Sequence, residues 1–183
     1  MYIINLCFTS GSFPSAFKSA IVKPLLKKPT LDHEVLKFFR PVSNLPFLSK
    51  LIEKRIACRL VSHIKDNSIT EKFQSAYKSK HSTETALLKV YNDIMNNIDQ
   101  VRGILLVLLD LSAAFDTIDH DILFDILEHS LGISGLALKL LKSYLHGRTQ
   151  CVQINGVISE FADLVCGVPQ GSVLGNSTSI CYR

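Results

Sequence analysis

The chain has 183 residues, of which 47% are hydrophobic and 20% are charged. This length and composition suit one folded domain of ordinary size, and they exclude wholesale disorder. The longest apolar run is far below the roughly 18 residues that a membrane span requires, so we expect no bilayer-spanning segment. The first residues lack a basic start and do not have the pattern of a signal peptide.

Cysteine and histidine usage argues against a structural metal. The five cysteines are an odd number, scattered and without a Cys-x-x-Cys pair, which predicts free thiols in a reducing, intracellular compartment. Whether that compartment is the nucleus or the cytoplasm is left open. The spacing around His120 does not match a helical metal pair, so we interpret it as a capping or surface residue.

Charge is distributed unevenly along the chain. Residues 1–65 hold 11 Lys and Arg against 3 Asp and Glu, a net charge of +8, and the remainder carries −4. One interpretation is that the basic first part of the chain forms a lobe that binds phosphate, and the acidic remainder forms a lobe that binds cations. The alternative is that these charges belong to ordinary solvated faces.

The first third is punctuated by prolines and should form short extended pieces. Ser19–Leu26 is predicted as an edge strand, because an edge tolerates Pro24. From Pro46 a helix should follow, with a basic face that is either solvated or in contact with a nucleic-acid backbone. Its apolar set at helical spacing is Leu48, Leu51, Ile52, Ile56, Leu60 and Ile64.

A polar stretch at residues 74–80 should be a loop or strand, and Ser82 or Thr83 can cap the next helix. The apolar stripe of that helix, which we assign to the core, is Leu87, Leu88, Tyr91, Ile94, Met95 and Ile98.

Residues 104–109 are all apolar and run directly into Asp110. A short continuous apolar run predicts a strand buried on both faces, and Asp110 would then stand where the sheet meets solvent. Such a carboxylate is either a Mg²⁺ ligand or the cap of a following helix.

The last part of the chain should contain two helices and a hairpin. The first helix starts at Asp119 or His120 and stops at Gly132, and the second runs from Ser134 to Gly147. Asn155 and Gly156 then separate two strand-like runs, the strongest short hairpin signal.

Four blocks in this order resemble the reverse transcriptases of LINE-type (non-LTR) retrotransposons, especially the Jockey-like branch. Phe-Arg-Pro-Val-Ser at residues 39–43 is similar to the fingers motif, and residues 74–87 are similar to the second block. Leu-Asp-Leu-Ser-Ala-Ala-Phe-Asp at 109–116 resembles polymerase motif A, and Gly-Val-Pro-Gln-Gly-Ser at 167–172 resembles motif B.

The resemblance implies two-metal nucleotidyl transfer with Mg²⁺, an RNA template, a DNA primer and deoxynucleoside triphosphates. Asp110 would be the catalytic carboxylate and metal ligand, with the Leu111 carbonyl as a further ligand. Phe115 would exclude a 2′-hydroxyl, although a core phenylalanine is the alternative. Asp116 would hold the turn, and the alternative is an extra metal ligand. The implied nucleotide contacts are Lys78, Ala113, Ala114, Phe115, Gln170 and Gly171.

The family continues to a Tyr/Phe-Ala-Asp-Asp motif, which these 183 residues do not contain. We therefore expect an α+β right-hand fragment: fingers-like residues 1–100, a partial palm at 101–175 and a departing tail at 176–183. The thumb and the motif C hairpin should be absent, which would leave Leu127 and Leu141 less covered. We expect a reverse transcriptase fragment that is inactive alone; the alternatives are a non-catalytic nucleic-acid-binding module and a non-functional relic. The oligomeric state is left open.

Overall fold

The computed structural model describes residues 2–69, 73–76, 78, 80–109 and 115–178 of the chain. Helices and a mixed sheet alternate along it, which confirms the α+β class. No helix in the described part is long and apolar enough to cross a membrane.

Among the described residues, five strands form the sheet, in the order β2-β1-β3-β4, with β5 also paired to β3. The strands are β1 (Ser19–Leu26), β2 (Phe39–Asn44), β3 (Thr149–Ile154), β4 (Val157–Ile158) and β5 (Ala162–Asp163). β1 pairs with β2 antiparallel and with β3 parallel, so the two ends of the chain share one sheet.

The edge position predicted for Ser19–Leu26 is wrong, because β1 lies between β2 and β3. The proline is tolerated for a local reason. β3 pairs only with residues 19–22 of β1, so Pro24 lies past the end of that ladder. On the other side Pro24 stands opposite Pro41, and neither residue has an amide hydrogen to donate.

Six α-helices accompany the sheet in the part of the chain that the structure describes. They are α1 (Tyr2–Ser10), α2 (Phe47–Asp66), α3 (Thr83–Asp99), α4 (His120–Asp125), α5 (Gly135–Leu145) and α6 (Val173–Thr178). α4 continues as a single π-helical segment, Ile126–Ser130. The predicted caps are confirmed: Ser82 caps α3 in a capping box with Thr85, and the Asp119 side chain accepts from the first amides of α4.

The core lies between α2 and the α4–α5 pair. From the predicted stripe of α2, Ile52, Ile56, Leu60 and Ile64 are buried, whereas Leu48 and Leu51 are exposed. The loss of cover expected for Leu127 and Leu141 is wrong, because both are buried in this core. The π-helical segment and α5 place them against the same cluster as α2.

Two apolar segments predicted to be buried are exposed instead. Residues 104–109 have no regular secondary structure, and their side chains are 43% to 89% exposed. None of the side chains of α3 is buried. The predicted strand and the core role of the α3 stripe are therefore wrong here. Periodicity identifies an apolar face, but the covering partner has to come from tertiary packing.

The hairpin around Asn155 and Gly156 is confirmed. Both residues have positive φ, as a tight hairpin turn of this type requires. Its returning arm is split into β4 and β5, and between them the Ser159 hydroxyl accepts from the Val152 amide at 2.9 Å.

Candidate functional site

The loop of residues 166–172, which we call the glycine loop, packs against residues 115–118. The Gly167 amide donates to the Ile118 carbonyl at 2.7 Å, and the Val168 amide donates to the Phe115 carbonyl at 2.8 Å. Gly167 has a φ of +79°, and a Cβ there would lie 2.8 Å from the carbonyl oxygens of Phe115 and Asp116. Only glycine therefore allows this close approach of two backbones.

The other end of the glycine loop contacts β2. The Ser43 amide donates to the Gln170 carbonyl at 2.7 Å. Gly171 has a φ of +103°, and a Cβ on it would meet the Ser43 carbonyl at 3.2 Å. The loop thus joins the segment that ends at residue 118 to the Phe-Arg-Pro-Val-Ser strand, and three of the four motif blocks meet around it.

A side-chain hydrogen bond reinforces this contact. Gln170 Nε2 donates to Asp116 Oδ2 at 3.0 Å. The Asp116 carbonyl also accepts a weak bond from Cys166 Sγ at 3.4 Å. These bonds support the structural role expected for Asp116, since both its backbone and its carboxylate hold the glycine loop.

The side chain of His120 is buried and contacts the glycine loop, although the sequence predicted a capping or surface residue. It is only 8% exposed, and its Nε2 lies 2.7 Å from the Gly167 carbonyl oxygen. Because a carbonyl can only accept, Nε2 carries the proton. The surface interpretation is wrong; no local pattern distinguishes a histidine whose partner is 47 residues away.

A small cavity of about 160 Å³ opens between these segments. Three of the predicted nucleotide contacts line it: Phe115, Gln170 and Gly171. Lys78 is half-buried and does not line this cavity. The remaining predicted site residues, Asp110, Leu111, Ala113 and Ala114, lie outside the described residues.

A buried carboxylate behind this cavity was missed by sequence reasoning. Glu53 of α2 is fully buried; its Oε1 accepts from Ser49 Oγ at 2.8 Å, and its Oε2 accepts from the Val173 amide at 2.7 Å. It therefore attaches α6, which follows the glycine loop, to α2. One signal was present in the sequence, because Glu53 lies three residues before Ile56 on the buried face.

Tyr144 and Arg148 are buried polar residues close to Glu53. Burial raises the pKa of Tyr144 well above its usual value; Arg148 opposes this shift and Glu53 adds to it. Glu53 and Ser172 lie close enough to influence the Tyr144 hydroxyl, yet it makes no well-formed hydrogen bond to a described residue. The Arg148 guanidinium stacks 4.0 Å from the centre of the Tyr144 ring, and its Nε donates to the Tyr144 carbonyl at 2.6 Å.

Comparison with known proteins decides the family. The family described as "Reverse transcriptase (RNA-dependent DNA polymerase)" matches residues 26–182. The chain belongs to this reverse transcriptase family. The family match continues past Gly175, and the departure expected for residues 176–183 stays a prediction.

Individual relatives of this reverse transcriptase chain come from mobile elements of flies. It is 34% identical to the probable RNA-directed DNA polymerase from transposon X-element of Drosophila melanogaster, over 94% of this chain. It is 32% and 31% identical to the polymerases from mobile element jockey of Drosophila melanogaster and Drosophila funebris. These matches confirm the resemblance to LINE-type elements and their Jockey-like branch. The chain spans 19% of the length of each of these relatives, as expected for a fragment.

Proposed function

We propose that this chain forms the fingers and part of the palm of an RNA-directed DNA polymerase, and that the cavity beside the glycine loop receives the incoming deoxynucleotide. One observation carries the proposal. Phe115 from motif A and Gln170 with Gly171 from motif B come from separate parts of the chain but line one cavity. The Asp116–Gln170 hydrogen bond fixes the two motifs relative to each other.

The described cavity would take only part of a nucleotide. At about 160 Å³ it suits a sugar edge and the adjoining part of a base. The Phe115 ring would lie against C2′ of the sugar and leave no room for a 2′-hydroxyl. Gln170, held by Asp116, would limit the position of the base pair, while Gly171 would let the backbone approach it.

The family implies Mg²⁺, and its fit can be tested on the described residues. Among them, no group of three or more His, Cys, Asp or Glu side chains could hold a metal ion. The Asp116 carboxylate contacts the glycine loop and is a candidate metal ligand, but it already accepts a hydrogen bond from Gln170. The described residues therefore do not fit a metal site, and we assign no metal-dependent step to them. Asp110 and the Leu111 carbonyl remain the proposed ligands, since carboxylate and carbonyl oxygens suit Mg²⁺.

Template and primer would contact the basic face of α2. The side chains of Lys54, Arg55, Arg59 and Lys65 are exposed on it. Phosphate contacts by such residues release counterions, so binding should weaken steeply with salt. We expect a primed RNA duplex to bind at 50 mM salt and to lose about tenfold or more in affinity at 200 mM. Unchanged affinity between the two conditions would argue against this interface.

Sugar selection tests the polymerase assignment. With a poly(rA)–oligo(dT) duplex and Mg²⁺ present, radiolabelled dUTP should photo-crosslink about tenfold more efficiently than UTP, a difference of about 1.4 kcal/mol. Phe115→Val should bring the two close to equal, because it opens space beside C2′. Phe161→Val is the matched control, since Phe161 is exposed and lies outside the cavity. Equal labelling by the wild-type chain would contradict the assignment.

The exposed basic face also favours a second candidate, a non-catalytic nucleic-acid-binding module. That module would bind the duplex with the same salt dependence but would not distinguish dUTP from UTP. Primer extension separates chemistry from binding. We expect no extension by these 183 residues, because they contain no Asp-Asp pair and lack its charge stabilisation. Template-dependent extension that disappears in Asp110→Ala would overturn that expectation.

A further inference from the structure

An apolar cleft lies on the side of the molecule formed by α1, α2 and α5. Its volume is about 490 Å³, within the range of binding sites. Three polar side chains, Arg59, His63 and Ser134, also line it. His63 is already engaged, since its Nε2 lies 2.8 Å from the Leu131 carbonyl oxygen. The main apolar lining residues are Phe8, Ile56, Leu60, Ile133, Leu136 and Leu140.

The charge at the rim of this α2–α5 cleft is positive. A smaller adjoining cavity of about 160 Å³ shares Phe8 and Arg59 with it and adds Arg55. The guanidinium carbon of Arg59 lies 4.0 Å from the centre of the Phe8 ring. Among the described residues, no aspartate or glutamate lines either cavity. The cleft therefore suits an apolar surface that carries a carboxylate.

The same chain displays a helix with these properties. In α3 no side chain is buried, and Leu87, Leu88, Tyr91 and Ile98 are 53% to 65% exposed. A carboxylate stands at each end of this stripe, because Glu84 precedes Leu88 by four residues and Asp99 follows Met95 by four. The single lysine of α3, Lys89, is paired with Asp93.

We propose that α3 of one copy of the chain docks into the α2–α5 cleft of a second copy, with the carboxylate at one of its ends against Arg55 and Arg59. The mode is an amphipathic helix in an apolar groove. No residue of α3 lines either cavity of its own chain. Because helix and cleft are different surfaces, each added copy leaves one of each free, so the association is head-to-tail.

A peptide tests the helix and the cleft directly. A fluorescent synthetic peptide of residues 83–99 should bind the full chain with a Kd of about 10–100 μM in an anisotropy titration. The double variant Arg55→Glu/Arg59→Glu should weaken this binding at least about tenfold, because it places like charges opposite the docked carboxylate. Lys54→Glu/Lys65→Glu is the matched control, with the same charge change on exposed positions of α2 outside both cavities, and should change Kd less than about twofold.

Reversing the charges on both partners separates docking from nonspecific adhesion. A peptide with Glu84→Lys and Asp99→Lys should bind the Arg55→Glu/Arg59→Glu chain more tightly than it binds the wild-type chain. A peptide with Tyr91→Lys should lose binding to both chains, since it puts a charge in the apolar stripe. Equal binding of the original peptide to the wild-type and doubly reversed chains would overturn the proposal.

Sedimentation velocity then tests whether a second copy of the chain occupies the α2–α5 cleft. The full chain should associate as its concentration rises, and excess peptide should return it to the monomer. The Arg55→Glu/Arg59→Glu chain should remain monomeric over the same range, with circular dichroism confirming that it is folded. A wild-type chain that stays monomeric at every concentration would overturn docking between copies, even if the peptide binds.

Discussion

Gln170 Nε2 donates a hydrogen bond to Asp116 Oδ2 at 3.0 Å, across 54 residues of sequence. Asp116 is exposed and Gln170 is half-buried, so the bond is partly accessible to water. It nevertheless joins the end of motif A to motif B and limits where the Gln170 side chain can point. In this chain the relative position of these motifs shapes the proposed nucleotide cavity, which Phe115 and Gln170 both line.

A double-mutant cycle should measure that bond. We expect Asp116→Ala and Gln170→Ala each to destabilise the fold modestly, with a coupling free energy of about 0.5–1.5 kcal/mol. Urea denaturation of the four proteins provides the measurement. Additive effects would mean that the hydrogen bond contributes nothing to stability.

Gly167→Ala should be the most destabilising glycine substitution in the glycine loop. The left-handed φ of +79° is unfavourable for alanine, and its Cβ would lie 2.8 Å from two carbonyl oxygens. Gly156→Ala is the control, because Gly156 has a φ of +86° but no atom near its Cβ position. We expect about 1 kcal/mol for the control and at least twice that loss for Gly167→Ala. Similar midpoints in thermal denaturation would show that the loop can move away.

Glu53→Ala should destabilise the chain by about 2–4 kcal/mol, because the partly buried Val173 amide and the buried Ser49 hydroxyl would both lose their acceptor. Glu128→Ala removes an exposed carboxylate and should change stability by less than about 0.5 kcal/mol. Chemical denaturation gives both values. Chymotrypsin digestion should also cut after Leu174, which is buried in α6, faster in Glu53→Ala, and equal cleavage would contradict an attachment of α6 by Glu53.

Tyr144 should make the fold sensitive to alkaline pH. Burial raises the pKa of Tyr144 in the folded chain, so above about pH 10 the unfolded state loses a proton that the folded state keeps. Stability is therefore fully present below that pH and falls as pH rises, by up to about 1.4 kcal/mol per unit from this residue. Tyr144→Phe should remove that slope. At pH 7 it should have little effect, since the hydroxyl has no well-formed hydrogen bond among the described residues.

The exposed segment at residues 104–109 should promote aggregation of the chain. Leu105 and Leu108 are 88% and 84% exposed, so replacing both by lysine removes apolar surface without opening the core. We expect a larger soluble fraction and a change in unfolding free energy below about 0.5 kcal/mol. Leu123→Lys, at a fully buried position, should instead abolish folding. A sharp thermal transition of a fully soluble wild-type chain would contradict this expectation.

Short-range interactions made much of the fold predictable from the sequence. Helix caps at Ser82 and Asp119 and the turn at Asn155 involve atoms within a few residues of each other, so their patterns are visible locally. Helical spacing alone predicts the apolar face of α2, on which Ile52, Ile56, Leu60 and Ile64 are buried. The motif blocks likewise identified the family and three residues of the proposed cavity.

Tertiary structure decided which distant groups meet. The contacts of His120 with Gly167 and of Glu53 with Val173 span 47 and 120 residues of sequence. Hydrophobic periodicity describes only neighbouring residues, so it does not predict such pairs. The same reason explains the errors at β1, α3 and residues 104–109. An apolar pattern indicates that a surface favours burial, but burial requires a second surface that covers it. The fold covers the apolar face of α2 and leaves that of α3 exposed.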